Sequence, residues 1–308
     1  MYIIDSHCDT LINVDQGGTL VNPYNLSKKS NHLQFYAMFC TYKDDSLEDS
    51  YLRALRFIEN FKKETAKTEY NIVQVKCYSD ILDAFKNQKN AALLTIEGGS
   101  CINDSVEVFE NFYNEGVRFF GLAWHSNSLA KCNALSGTQD DTGLGDLGRR
   151  IVKKGNQLGM IFDVSHLSDK SFWDLAEISR KPIVATHSNF RAICNHSRNL
   201  TDDMAKEIFR QDGIIGLNLA KAFIHTEKDM QTAESLFAHL DHCLDIGGED
   251  HIGFGCDIDG IGSYPEPLEK SGSMHDKLIE LMIAHGYSHE LIEKIAYKNY
   301  LSFLEKYL

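Results

Sequence analysis

Eight short apolar runs, rich in β-branched residues, recur along this 308-residue chain, near 2–6, 34–40, 91–96, 117–123, 159–164, 182–186, 213–218 and 251–256. Longer amphipathic stretches separate them, the pattern of a parallel α/β fold. Strands of a parallel sheet are covered on both faces, so they read as near-continuous apolar runs rather than as alternation. Eight such runs with interleaved helices predict one (β/α)8 TIM barrel, a single domain over residues 1–308 with extra C-terminal helices. The segment 47–66 places Leu47, Tyr51, Leu55, Ile58 and Phe61 near one helical face. Ser168 is expected to cap a helix near 168–179, and Thr201 one near 201–210, with Asp202 and Asp203 in its first turn. Residues 231–246 and 274–285 read as further amphipathic helices, and 288–307 as one or two helices against the barrel. Asn22 to Leu33 reads as a polar loop on the side where the strands end.

The ends of these runs carry the chemistry. IIDSHCD, ALLTIEGG, MIFDVSH and IVATH close on His7 and Asp9, Glu97, His166 and His187. A barrel builds its site on the rim formed by the C-terminal ends of its strands. Imidazole and carboxylate donors are what a borderline divalent ion such as zinc takes. Residues two apart on a strand point the same way, so His7 and Asp9 are expected to reach one ion and Cys8 to face away. Glu97 precedes Gly98 and Gly99, which let backbone approach closely, and suits a carboxylate shared between two ions. Five ligands exceed what one catalytic zinc uses.

Each residue alone has an ordinary reading: a chance H-x-D, a capping glutamate, two rim histidines with satisfied bonds. Their joint recurrence at four strand ends is what argues for a site. Asp257 ends the run HIGFGC, and closing the barrel sets strand eight beside strand one, near His7 and Asp9. A carboxylate there can take a proton and pass it to a leaving group. Asp259 reads as a supporting residue before the turn at Gly260.

Lys and Arg number 31 against 44 Asp and Glu, a net charge of −13, which argues against nucleic-acid partners and mildly favours small neutral or zwitterionic substrates. Without a signal peptide, an apolar span or a lipid-anchor tail, the expected location is cytoplasmic, with the eight cysteines mostly reduced. No C-x-x-C pair occurs, so a thiolate zinc cluster is not expected.

Taken in order, DSHCDT, IEGG, HSN, DVSHLS, THSN, RNLTDD and GFGCDIDG resemble the membrane (renal) dipeptidase family of zinc-dependent metallopeptidases, with their amidohydrolase-like barrel, from about residue 3 to about residue 260. The resemblance implies a barrel with two divalent metal ions, Zn2+ by family habit. His7 and Asp9 would hold one ion, His166 and His187 the other, and Glu97 would bridge them. It implies that His125 touches the scissile peptide's oxygen and that Arg198 holds the substrate's C-terminal carboxylate, a task suited to a guanidinium fork. Asp257 matches the family's acid/base aspartate. Outside the resemblance, Arg198 would read as a surface ion pair with Asp202, and His125 as a strand-end histidine.

The implied reaction is dipeptide hydrolysis by a bridging hydroxide on a binuclear zinc centre. No covalent intermediate is needed, so Ser165 and Ser188 read as supporting hydroxyls. Relatives accept a D-residue at the second position, which makes L,D-dipeptides expected substrates, and relatives are often homodimers. Two alternatives stand beside this reading. One is another metal-dependent barrel hydrolase, such as a lactonase, phosphotriesterase or deaminase, although many of those carry H-x-H on strand one. The other is a non-catalytic metal- or peptide-binding barrel.

Overall fold

A computed structural model describes residues 1–20, 32–40, 45–132, 141–270 and 273–308. Most of the loop expected from Asn22 to Leu33 lies outside the described residues, apart from His32 and Leu33, which begin a strand. The strands are β1 (Ile3–Cys8), β2 (His32–Phe39), β3 (Ile72–Gln74), β4 (Asn90–Glu97), β5 (Val117–Gly121), β6 (Ile161–Asp163), β7 (Ile215–Leu217) and β8 (Ile252–Phe254). They pair in the order β6-β5-β4-β2-β1-β8-β7, and every pairing is parallel.

The run expected as a strand at 182–186 closes the curl between β6 and β7. It does so through two parallel bridges, Asp163 with Val184 and Ala185 with Ile215. It is cut short because Thr186 turns its N–H to the Asp163 carboxylate rather than to a strand neighbour. Seven strands and this bridging segment form the eight-fold parallel curl of a TIM-like barrel. β3 was not expected from its short I-V-Q run. It pairs β4 over Asn90–Ala92, below the point where β5 joins at Leu94.

The two faces of the curled sheet bury different sets of residues. Ile4, Leu33, Phe35, Ala91, Leu93, Phe119, Ile161, Val184 and Ile214 pack together with Tyr300, Phe303 and Leu304 of the C-terminal helix Asn299–Tyr307. That helix plugs the floor, where the strands start. The opposite faces, among them Tyr36, Met38, Leu94, Ile96, Phe120 and Phe162, pack under the surrounding helices.

Helix starts follow the expected caps. Ser168 Oγ accepts from Ser171 N at the head of Asp169–Ile178, and Thr201 Oγ1 accepts from Met204 N at the head of Asp202–Arg210. The helix Leu47–Thr65 differs from its expected face. Its buried stripe is Ser50, Ala54, Phe57, Ile58, Phe61 and Glu64, while Leu55 is exposed. Steps of four and three from Ser50 define the inward line, and Leu55 falls off it. Among the described residues no helix is long and apolar enough to cross a membrane.

Candidate metal centre

The rim gathers polar side chains that an apolar barrel would otherwise exclude. His7 and Asp9 leave the sheet through an irregularity. In the pairing of β1 with β2, Asp5 faces Gln34 but Cys8 faces Tyr36, so three residues of one strand span two of the other. This β-bulge breaks simple alternation. Cys8 still points away, into the core beside Tyr36, but Asp9 reaches the rim from the turn beyond the strand, as the residue before the helix Thr10–Asp15. The turn is pinned by Asp9 N donating to Ile258 O at 2.7 Å. Same-side alternation is therefore not what brings His7 and Asp9 together.

Glu97 stands at the centre. Its Oε2 lies 3.5 Å from His7 Nε2, while its Oε1 lies 2.7 Å from His166 Nε2 and 3.4 Å from His187 Nε2. His7 Nε2 is also 3.4 Å from Asp9 Oδ2 and 3.9 Å from Asp257 Oδ1, so barrel closure does set β8 against β1. His166 and His187 bring their Nε2 atoms within 2.9 Å of each other. Ligand atoms of His7, Glu97 and His187 lie mutually close enough for one ion, as do those of His7, Asp9 and Asp257. His7 Nε2 and Asp9 Oδ1 are buried without a hydrogen-bond partner in the protein. Buried polar atoms are seldom left so, because each unmade bond costs about 1–3 kcal/mol. A convergent, partly unsatisfied set of imidazole and carboxylate atoms fits divalent cations.

The electrostatics agree. Burial opposes charge on His7, yet Glu97 and Asp9 raise it well above its ordinary range. Burial, then the charge on Glu97, pushes the Asp9 carboxyl well up. Burial also works against the Glu97 carboxylate, but His7 and then the other histidines hold it well below the usual range. Burial, then Arg198, takes His166 down to about 4, and burial, then His7, takes His187 down to about 4. His166 and His187 are therefore neutral, as metal-ligating imidazoles need to be, whereas His7 and Asp9 hold protons that a bound cation would displace.

Supporting groups fix these side chains, and sequence reading had not found most of them. Thr186 Oγ1 donates to Asp163 Oδ2 at 2.5 Å and stands 2.8 Å from His187 Nδ1, directing the other ring nitrogen to Glu97. Asp257 Oδ2 accepts from Asn218 Nδ2 at 3.0 Å, leaving Oδ1 toward His7. Asn218 is held in turn by Asn189, through Asn218 N to Asn189 Oδ1 and Asn189 Nδ2 to Asn218 O. Behind β1, the buried Asp5 carboxylate accepts from His7 N and Cys256 N, each at 3.1 Å, and from His275 Nε2 at 2.6 Å. That carboxylate ties the backbones at the ends of β1 and β8 to the helix Met274–His285. Gly260 is forced by closeness: a Cβ there would lie 2.1 Å from Asp9 Oδ2 and 2.3 Å from Asp257 Oδ1. His166, Asp257 and Asp259 hold positive φ angles of 72°, 57° and 66°, a backbone cost that side chains normally avoid.

Above the ligand atoms is a cavity of about 320 Å3, lined by Asp9, Glu97, His166, Arg198, Asp257, Asp259 and several apolar residues. Arg198 is buried, not paired with Asp202, which instead meets His242 at 2.8 Å. Its guanidinium donates to Ser188 Oγ at 3.3 Å and to His187 O at 3.2 Å, and lies 3.2 Å from His166 Nε2. Ser165 Oγ accepts from His187 N at 3.2 Å, so both serines support neighbours. Asp259 lines the cavity but accepts from Thr10 Oγ1 at 2.6 Å. At the end of β5 it is Trp124 that lines the cavity. His125 is half-buried, its ring edge-on to Trp124 with centroids 4.2 Å apart.

The model of the membrane dipeptidase family, peptidase family M19, matches residues 1–307. A Klebsiella pneumoniae protein of the pqqA 5′ region is 33% identical over 234 residues, spanning 74% of this chain and 86% of that protein. Dipeptidase tcpJ of Claviceps purpurea is 31% identical over 227 residues, spanning 74% of this chain and 53% of that protein. Among solved structures, a metallopeptidase from Rhodobacter sphaeroides liganded with a phosphinate mimic of the dipeptide L-Ala-D-Ala superposes with a TM-score of 0.90. It is 25% identical, and the match covers 100% of this chain and 99% of that one.

Proposed function

This chain belongs to the membrane dipeptidase family and is a metal-dependent dipeptidase, and from that premise we propose that it cleaves free dipeptides, L,D-dipeptides among them, at a pair of zinc ions sharing Glu97. The observation that carries the reading is the division of labour within one carboxylate: Glu97 Oε2 faces His7, whereas Oε1 faces His166 and His187. His7 and Asp9 would hold one ion, and His166 and His187 the other. When bound, the ions would supply an acidified water as the nucleophile and Lewis-acid polarisation of the peptide carbonyl.

The remaining work falls to the chain's own residues. Arg198, held by Ser188 and the His187 carbonyl, presents a buried cation to the substrate's C-terminal carboxylate. Asp257, with one oxygen tied to Asn218, turns Oδ1 toward the centre. That oxygen takes the proton released by the attacking nucleophile and delivers it to the departing amine. The proposed contact of His125 with the scissile oxygen rests on its motif, and its place beside Trp124 keeps it one residue from the cavity wall. The inclusion of L,D-dipeptides is supported by the L-Ala-D-Ala mimic bound to the Rhodobacter sphaeroides relative. The eight cysteines, all free thiols, support a reducing, cytoplasmic setting.

The test is release of free amino acids from L,L- and L,D-dipeptides by chelator-stripped protein, before and after zinc. Restored cleavage, with C-terminal amides refused, is the expected result. Hydrolysis of lactones or phosphoesters with every dipeptide left intact would overturn the reading.

A further inference from the structure

The polar contacts of the cavity leave its apolar wall unexplained. Ile12, Phe39, Trp124, Phe223 and Ile261 line it, and each comes from a different part of the rim. Ile12 lies on the helix Thr10–Asp15 after β1, Phe39 closes β2, and Trp124 follows β5. Phe223 lies on the short helix Lys221–Ile224 after β7, and Ile261 follows β8. Phe39 and Trp124 meet edge to face with centroids 4.8 Å apart, so they form one continuous aromatic wall.

The polar groups give this wall a direction. The Arg198 guanidinium carbon lies 5.3 Å from the Phe223 ring centroid. A dipeptide with its carboxylate on Arg198 and its leaving nitrogen toward Asp257 lays its C-terminal residue along the ends of β7 and β8, beside Phe223. Its N-terminal residue then extends across Glu97 toward the ends of β1, β2 and β5. There the side chain meets Ile12, Phe39 and Trp124. The carboxylates on that side of the cavity are already engaged: Asp9 is directed at His7, and Asp259 accepts from Thr10 Oγ1 at 2.6 Å. A charged substrate side chain placed there would lose water without gaining a partner. An apolar one would bury its methylenes against this wall and gain from leaving water.

Resting on the dipeptidase reading, we propose that this enzyme selects dipeptides whose N-terminal residue is bulky and apolar, with Ile12 and Phe39 as the residues that set the preference. Position two is read mainly through its carboxylate.

The test compares kcat/KM for Gly-Ala, Leu-Ala, Phe-Ala, Glu-Ala and Lys-Ala on the zinc-loaded enzyme. Leu-Ala and Phe-Ala are expected to exceed Gly-Ala by about ten-fold, and Glu-Ala and Lys-Ala by about a hundred-fold. Ratios within one preparation cancel any loss of folded protein. In Phe39→Ser the Leu-Ala to Gly-Ala ratio should fall several-fold. In Ile12→Glu the Lys-Ala to Leu-Ala ratio should rise by about ten-fold, a gain that misfolding cannot produce. Equal turnover of charged and apolar substrates, or ratios unmoved by both substitutions, would overturn the proposal while leaving the dipeptidase reading intact. Failure of the wild-type enzyme on all five dipeptides would remove both.

Discussion

The floor and the rim of this barrel are made by the same strands and differ in how completely their polar groups are satisfied. At the floor, Phe35, Phe119, Tyr300 and Phe303 interlock, and the C-terminal helix brings polar groups that find partners: Tyr300 Oη donates to Ser6 Oγ, and Asn299 Nδ2 donates to the carbonyls of Glu249 and Ile252. At the rim, three carboxylates crowd His7, four polar atoms of His7, Asp9, His166 and Arg198 are buried without a partner, and three non-glycine residues hold positive φ. The floor is arranged for stability. The rim carries strain and unmet polar groups whose return is a place for cations and substrate. This division is the expected one where a stable scaffold supports a reactive site.

Substitutions confined to the rim or to the floor should separate activity from stability. Asp257→Asn should lower kcat by about 10²- to 10⁴-fold, since it removes the proton carrier, while the melting temperature stays unchanged or rises as carboxylate crowding eases. Steady-state kinetics and a melting curve on the same preparation check both parts. Phe303→Ala should do the reverse: it should cost about 3–5 kcal/mol in denaturant unfolding through loss of transfer energy and an unfilled cavity. Its kcat per folded molecule should be unchanged, because the helix carrying it sits at the far end of the barrel.

A smaller effect tests how far rim strain extends backward. His239 is buried just behind the ligand loops, where its Nδ1 accepts from Phe190 N at 3.2 Å and its Nε2 donates to Ile224 O at 2.9 Å. Burial first, then the neighbouring histidines, lowers it from 6.5 to about 4. A folded-state value below the unfolded one means the unfolded chain binds the extra proton between them. Stability from this group is therefore present above about pH 6.5 and is lost as pH falls toward 4, to a total of about 3 kcal/mol. Unfolding free energies for wild type and His239→Gln over that window should differ in slope, and parallel curves would show that His239 plays no such part. Least of all, Tyr300→Phe removes one satisfied floor hydrogen bond and should cost about 1 kcal/mol in the same unfolding assay, with no change in metal affinity.

The barrel was legible because parallel strands buried on both faces must be apolar throughout, and their polar endings mark the rim. β3 escaped notice because three residues carry too little pattern. Leu55 faces solvent although the spacing places it inward, because helical spacing fixes a face only to within one step. The proposed ligand residues stood out as types rare at the close of an apolar run, yet the way Asp9 arrives, around a β-bulge, has no signature in H-x-D. Supporting groups were least visible. Asn218, Thr186, Asp163 and the Asp5–His275 pair are ordinary residues until the fold sets them against a ligand. Gly260 is needed only because two carboxylates from different strands close on it. Arg198 illustrates the same limit in reverse, since the Asp202 beside it in sequence is taken by His242.

The claim that one glutamate serves two ions is tested most directly by calorimetric titration of zinc into chelator-stripped protein, wild type and Glu97→Gln. The structure predicts two equivalents for wild type, with both sites weakened together in the variant, because each Glu97 oxygen faces a different set of histidines. A single equivalent in wild type, or two undisturbed equivalents in Glu97→Gln, would contradict it.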